Sequence, residues 1–171
     1  MKHLVLLCLM FLAAPAQAAL KVFACEPEWG ALATELGGDK VAVYTATSAR
    51  QDPHTIEARP SLIARVRSAD LVVCTGAELE GGWLPLLLRS AGNPHVQPGT
   101  PGFFAAADYV ALLDVPANVD RALGDLHAAG NPHLHTDARN IARVAEALVQ
   151  RLAELDPAQA AHYQARYRDF S

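Results

Sequence analysis

The first half of the chain alternates short apolar runs with amphipathic segments. An apolar run bounded by polar residues, Gly or Pro predicts a strand, whereas apolar residues at helical spacing predict a helix. We predict strands at 20–25, 41–47 and 69–74, helices at 27–36, 60–67 and 81–89, and a candidate fourth strand at 110–115. Strands and helices that alternate with short links predict an α/β fold, in which helices flank both faces of a parallel sheet.

Apolar residues also recur at helical spacing in the last part of the sequence. They predict a helix at 138–155, a break at Asp156-Pro157 and a further helical run at 158–170. Asp137 precedes the first of these helices and can cap it through its side-chain oxygen.

The N-terminal segment has the pattern of a secretory signal peptide. Met1-Lys2-His3 gives a basic start, Leu4 to Ala14 an apolar run and Ala16-Gln17-Ala18 a small-x-small end, which predicts cleavage after Ala18. The apolar run is shorter than the roughly 20 residues that span a membrane. Cleavage leaves 171 − 18 = 153 residues, enough for one domain with a substantial core.

The charges of the chain exclude one class of partner. The net charge is −4, and Lys and Arg form no dense cluster along the sequence. Surfaces that bind nucleic acid are strongly basic, so we expect no nucleic-acid partner.

Two cysteines remain in the chain after cleavage of the signal peptide. Cys25 and Cys74 each lie at the end of a predicted strand. Residue spacing leaves two interpretations open, a disulfide between neighbouring strand ends or two buried free thiols.

Histidines preceded by proline are the main candidates for a metal site. His133 lies in Gly130-Asn131-Pro132-His133, directly before a capped helix, and His54 lies in Asp52-Pro53-His54 after the second predicted strand. Proline restricts the backbone, and ligands in parallel sheets bind at the carboxyl ends of the strands. We therefore expect His54 and His133 to share one edge of the sheet.

Other histidines have weaker claims to a metal site. His127 and His135 flank His133 and are accessory candidates, and His162 falls in the last predicted helix. The segment Ala91 to His95 repeats the Ala-Gly-Asn-Pro-His of 129–133. His95 is therefore either a third contributor to the site or a repeat of the motif without a metal role. The second interpretation is favoured, because His95 lies in a Pro/Gly-rich coil and no capped helix follows it.

A rival interpretation is a zinc hydrolase. His133-x-His135-x-Asp137 copies the first part of the His-x-His-x-Asp-His signature of metallo-β-lactamase-like enzymes, in which zinc activates a water molecule. Ala138 stands where the final histidine would be, and parallel strands throughout would contradict this alternative. No Gly-rich phosphate loop follows the first strand and Gly-x-Ser-x-Gly is missing, so a nucleotide site and a serine hydrolase are unsupported.

Several spaced motifs resemble one family of transport proteins. They are the signal peptide, Asp52-Pro53-His54 with Glu57-x-x-Pro60-Ser61, the run Ala69 to Gly76 with Leu79-Glu80-x-x-Trp83, and Asn131-Pro132-His133 leading into Asp137-x-Arg139-Asn140. In this order they look like the periplasmic zinc/manganese-binding proteins of ABC transporters, the cluster A-I solute-binding proteins. The resemblance extends over residues 20–170.

This resemblance implies two α/β lobes joined by one long helix, with a metal ion held between them. The chain would then comprise a signal peptide (1–18), an N-terminal metal-binding lobe (19–136) and a connecting helix (137–171) that stops before the second lobe. His54 and His133 would be first-lobe ligands, and two further ligands would belong to the second lobe. The segment from Gly124-Asp125 to His135 is similar to the metal-gathering loop of some zinc-specific members, where His127 would assist capture.

The implied function is capture of zinc in the periplasm and its delivery to an inner-membrane ABC permease, without catalysis. A periplasmic metallochaperone is a further candidate partner. Zinc is favoured over manganese because the candidate site is rich in imidazole, whereas manganese sites use more carboxylates. An orphan lobe that serves only as a weak zinc buffer is the remaining alternative.

Overall fold

The computed structural model describes residues 18–117 and 127–171. In these residues four parallel strands form one sheet with the strand order β2–β1–β3–β4. The strands are β1 (Leu20–Ala24), β2 (Val41–Thr45), β3 (Leu71–Cys74) and β4 (Phe103–Ala105). The helices are α1 (Pro27–Gly37), α2 (Pro60–Arg67), α3 (Leu84–Ala91), α4 (Ala138–Leu155) and α5 (Ala160–Phe170). The predicted α/β fold with a parallel sheet and flanking helices is confirmed.

Each face of the sheet contributes to its own hydrophobic core. Val22 and Ala24 of β1 point to one core, which includes residues of α1, α4 and α5. Phe23 and Cys25 point to the other, which includes residues of α2 and α3. This alternation follows from the two-residue period of a strand, and burial on both faces explains why the strand sequences read as continuous apolar runs.

The fourth strand does not lie where the sequence pattern placed it. Residues 110–115 form no regular structure, and Leu113 and Val115 are 72% and 62% exposed. The strand that pairs with β3 is Phe103–Ala105, preceded by Gly102. A Cβ atom on Gly102 would lie 2.2 Å from the His95 carbonyl oxygen and 2.8 Å from that of Asp70. The absence of a side chain at Gly102 thus allows the backbone to approach β3 closely. The strand has three residues, which is too short for an apolar pattern to be recognised in the sequence.

The C-terminal segment consists of two helices that pack against the sheet layer. The break predicted at Asp156-Pro157 separates α4 from α5. Tyr163 is buried and donates a hydrogen bond to Asp156 Oδ2 (2.9 Å), and His162 Nε2 lies 3.0 Å from the Gly37 carbonyl oxygen. The apolar face of α4 is fully buried in the first core, through Val144, Ala145, Leu148, Val149 and Leu152.

A disulfide joins Cys25 and Cys74, with 4.8 Å between their Cα atoms. Of the two interpretations that the spacing left open, the structure therefore has the disulfide, because the ends of β1 and β3 are adjacent in the sheet. Residues 1–17 of the predicted signal peptide lie outside the described residues. Among the helices of the described part, none has the length and apolarity needed to cross a bilayer.

Candidate metal centre

Four histidines gather at the carboxyl edge of the sheet. His54 lies in the loop after β2, and His127, His133 and His135 lie in the segment before α4. Ring centroids are 5.2 Å apart for His54 and His127, 6.4 Å for His54 and His133, and 6.2 Å for His133 and His135. The predicted proximity of His54 and His133 thus holds, and both accessory candidates are their neighbours.

The His54 ring is oriented by its own loop. Asp52 Oδ1 accepts hydrogen bonds from the His54 backbone N–H (3.0 Å) and from Nδ1 (2.7 Å). These two bonds lower the pKa of the Asp52 carboxyl below its usual range. Trp83, which is buried, donates its indole N–H to the Pro53 carbonyl oxygen at 2.8 Å. Because Nδ1 carries the donated proton, Nε2 is the nitrogen that can offer a lone pair to a metal ion.

His54 Nε2 lies 3.1 Å from His127 Nε2. A tetrahedral zinc ion about 2.1 Å from each of two imidazole nitrogens would hold those nitrogens about 3.4 Å apart. In the structure these two nitrogens share a hydrogen bond, and a zinc ion between them would require only a small increase in their separation. A cavity of about 320 Å³ adjoins this pair, and its lining consists of His54, Asp114, His127, Gly130, Asn131, Pro132 and His133.

The His133 loop is fixed by polar contacts to the segment before it. Asn131 Oδ1 accepts a hydrogen bond from the His133 backbone N–H (3.0 Å), while Asn131 Nδ2 donates to Asp114 Oδ2 (3.0 Å). The Asn131 backbone N–H also donates to the Leu113 carbonyl oxygen (2.8 Å). These bonds leave the His133 ring exposed at the cavity with a restrained backbone.

A turn with left-handed backbone geometry supports the His127 side of the cluster. Gly76, Ala77 and Glu78 have φ values of 78°, 50° and 69°, a conformation that is costly for residues other than glycine. Glu78 Oε2 accepts a hydrogen bond from the Ala128 backbone N–H at 2.7 Å. This turn therefore anchors the residue next to His127.

Two acidic residues near the cluster were not identified from the sequence. Glu28, in the first turn of α1, places Oε1 3.2 Å from Nδ1 of His135. Asp114 lines the cavity and binds Asn131. Glu28 follows the carboxyl end of β1, so the strand-end rule that selected His54 could have selected it as well. Asp114 lies in the segment that was expected to be a strand.

Two other candidates have different surroundings. Asp137 caps α4 by accepting a hydrogen bond from the Arg139 backbone N–H (2.8 Å), as predicted, and hydrogen bonds from Arg139 lower the pKa of Asp137 to about 2. His95 forms the same local turn as His54 and His133, because its backbone N–H donates to Asn93 Oδ1 at 3.0 Å. It lies near Gly102, at the amino end of β4, on the opposite edge of the sheet from His54.

A buried acidic pair lies beside the disulfide at the same edge of the sheet. Thr75 donates its hydroxyl to Glu26 Oε2 (3.1 Å), and Glu80 accepts hydrogen bonds from the backbone N–H groups of Thr75 (2.7 Å) and Gly76 (3.1 Å). Burial and the neighbouring Glu80 carboxylate raise the pKa of Glu26 to about 10, so Glu26 is protonated at neutral pH. Glu80 and both cysteine sulfurs are close enough to share an ion, but the disulfide occupies both sulfurs.

Comparison with known proteins identifies the family. Residues 22–171 match the family model described as zinc-uptake complex component A, periplasmic (ZnuA). The chain belongs to this family of metal ABC transporter substrate-binding proteins. The metal ABC transporter substrate-binding lipoprotein SloC of Streptococcus mutans is 25% identical over 136 residues, which are 80% of this chain and 42% of SloC. The manganese ABC transporter substrate-binding lipoprotein PsaA of Streptococcus pneumoniae is 24% identical over 89% of this chain and 47% of its own length.

Solved structures of two metal-binding proteins share the fold. The Mn-bound periplasmic metal-binding protein of Candidatus Liberibacter asiaticus superposes with a TM-score of 0.71 at 22% identity, over 89% of this chain and 52% of that one. A crystal structure of ZnuA gives a TM-score of 0.69 at 24% identity, over 89% and 53%. The chain thus spans about half the length of the relatives it matches.

Proposed function

We propose that this chain forms the first metal-binding lobe of an exported zinc-binding protein, which captures Zn²⁺ in the periplasm and delivers it to an inner-membrane ABC permease. The observation that carries the proposal is that His54 and His133 line one cavity together with His127, whose Nε2 lies 3.1 Å from His54 Nε2. In this proposal, residues 19–136 form the lobe, and His54 and His133 are its principal ligands. Residues 137–171 form the helical segment that packs against the lobe and connects it to a second one.

Chemistry supports zinc over manganese as the ion. Neutral imidazole nitrogen is a good ligand for zinc, whereas manganese prefers carboxylate, carbonyl and water oxygen. Three imidazoles, those of His54, His127 and His133, line the cavity together with one carboxylate, that of Asp114, and the His135 ring lies 6.2 Å from that of His133. Several relatives are named as manganese proteins, so the family alone does not decide the metal.

The hydrolase alternative is not favoured. Every strand pair in the described sheet is parallel, and Asp137 is engaged as a helix cap. In the proposed mechanism the protein makes and breaks no covalent bond. Capture and release depend on a difference in zinc affinity between two states of the protein. A docked permease that changes the ligand geometry lowers the affinity and releases the ion. In the orphan-lobe alternative the same cluster buffers zinc without a permease.

Competition titration with a zinc-sensitive dye tests the ligands on the mature protein, residues 19–171. We expect His54→Ala and His133→Ala each to weaken zinc binding at least tenfold, because each removes an imidazole donor. His95→Ala is the matched control, since it removes the histidine of an identical turn at the opposite edge of the sheet. The assignment would be contradicted if His95→Ala lost zinc binding, or if His54→Ala and His133→Ala bound zinc as tightly as the wild type.

Delivery and export need a second measurement. Zinc-dependent growth of cells that carry the gene and its permease should require residues 1–18, and the protein recovered from the periplasm should begin at Ala19. Growth that depends on the protein when the permease is deleted would favour the zinc-buffer alternative over delivery.

A further inference from the structure

Glu28 and His135 form a second carboxylate–imidazole pair beside the cluster. Glu28 Oε1 lies 3.2 Å from His135 Nδ1, but this contact lacks the geometry of a hydrogen bond. Nδ1 is buried and has no hydrogen-bond partner among the described residues, although 30% of the His135 side chain is exposed. The part of the ring that solvent reaches is therefore not the Nδ1 edge. Asp52 and His54 show the hydrogen-bonded form of the same pairing, since Asp52 Oδ1 accepts a hydrogen bond from His54 Nδ1 at 2.7 Å.

The position of Glu28 in α1 determines what its carboxylate can do. Glu28 follows Pro27 in the first turn of an eleven-residue helix, where the helix dipole and unpaired backbone N–H groups favour a negative charge. An ionised carboxylate only accepts hydrogen bonds. A proton on His135 Nδ1 would face this carboxylate favourably, whereas a lone pair there would be repelled. The contact therefore favours the Nδ1–H form of neutral His135, in which Nε2 keeps the lone pair.

His135 is also within reach of the cluster. Its ring centroid is 6.2 Å from that of His133, which is itself 6.4 Å from that of His54. Two imidazoles bound to one tetrahedral ion have ring centroids about 5 Å apart. The rings of His133 and His135 would therefore have to approach each other by about 1 Å to bind the same ion. His133 is exposed and can rotate by that amount.

We propose that Glu28 is a positioning residue for His135, which it holds with Nε2 available as a further imidazole ligand, and that the pair increases the preference of the site for zinc over manganese. The inference rests on the proposed zinc-binding function. An additional neutral nitrogen donor strengthens zinc binding more than manganese binding, because manganese gains less from imidazole. Outer carboxylates that orient a ligating histidine typically change metal affinity by 10–100-fold.

The first test needs no metal. Nitrogen-15 NMR of the mature protein reports which nitrogen of His135 carries the proton. We expect the Nδ1–H tautomer in the wild type and in Glu28→Gln, whose amide oxygen can take the place of the carboxylate oxygen, and a shift towards Nε2–H in Glu28→Ala. Glu35→Ala is the matched control, because Glu35 is an exposed carboxylate in the last turn of the same helix. A wild-type protein with Nε2–H at His135 would overturn the positioning role.

The second test measures zinc and manganese dissociation constants for the same variants. Glu28→Ala and His135→Ala should each weaken zinc binding roughly tenfold and manganese binding much less, with Glu28→Gln close to the wild type. The double variant should lose no more zinc affinity than His135→Ala alone, because the two substitutions remove the same interaction. If only His54→Ala and His133→Ala weaken zinc binding, the inference fails and the proposed function stands. A wild-type protein that binds no zinc overturns the function, while the tautomer still tests the Glu28–His135 contact.

Discussion

At the scale of single residues, one short turn recurs in three loops. In Asp52-Pro53-His54, Asn93-Pro94-His95 and Asn131-Pro132-His133, the first side chain accepts a hydrogen bond from the histidine backbone N–H at 3.0 Å. Asn and Asp favour such turns, and the proline in the middle position has a restricted backbone. The sequence therefore predicts the local conformation well. It does not predict the location of the turn, since His95 ends up at the opposite edge of the sheet.

The Asp52 carboxylate should matter for metal affinity although it need not touch the ion. It holds His54 by two hydrogen bonds, so Asp52→Ala should weaken zinc binding by about 10–100-fold. Dye competition measures the change. Asp39→Ala is the control, because Asp39 is an exposed carboxylate beyond the far end of α1 that contacts Lys40. Equal affinities for Asp52→Ala and the wild type would show that the His54 ring is oriented by other contacts.

The protonated Glu26 should make stability depend on pH. Its pKa is about 10 in the folded state against an ordinary value of 4.5, so between these values the folded state keeps a proton that the unfolded state releases. The free energy of unfolding then falls as pH rises through this range, by at most about 1.4 kcal/mol per pH unit from this group. In Glu26→Gln an amide replaces the neutral acid, and this contribution to the slope should vanish.

Urea unfolding between pH 6 and pH 9 measures this difference. Glu80→Gln is the informative comparison, because Glu80 accepts two backbone hydrogen bonds as a carboxylate and its loss should destabilise the protein at every pH. Parallel pH profiles for the wild type and Glu26→Gln would mean that Glu26 is ionised in the folded protein.

At the scale of elements, the helices and the first three strands could be predicted because their apolar periodicity is long enough to detect. Helix α4 is the clearest case, since its periodic residues are the buried ones. Strand β4 could not be predicted, because it has three residues and depends on the close approach that Gly102 allows. The contact of Glu28 with His135 joins two elements far apart in sequence, and neither residue alone carries a signal for it.

Helix α4 should contribute strongly to the stability of the lobe. Leu148 is fully buried in the core beneath it, so Leu148→Ala should lower the free energy of unfolding by about 2–5 kcal/mol. Gln150→Ala, two residues further along on the exposed face, should change it by less than about 0.5 kcal/mol. Urea unfolding of the oxidised proteins compares them. Similar small effects would imply that α4 is detached from the lobe in solution.

At the scale of the whole molecule, the disulfide closes a large part of the chain into one loop. Cys25 and Cys74 are 49 positions apart, and a cross-link over such a loop stabilises a folded protein by about 4 kcal/mol through the entropy of the unfolded chain. Equilibrium unfolding with and without a thiol reductant should show this difference. The double variant Cys25→Ser with Cys74→Ser should resemble the reduced protein, and a reductant effect of the same size in that variant would rule out the disulfide as its cause.

The recurring Asx–Pro–His turn also bears on how such proteins evolve. Each turn is held by a bond between a side chain and the backbone two residues later, so it places few demands on the rest of the fold. A surface loop can therefore adopt this turn after a few substitutions with little change in the free energy of unfolding. Substitutions in these loops can therefore change which side chains face the cavity, while the sheet and its two cores maintain the fold.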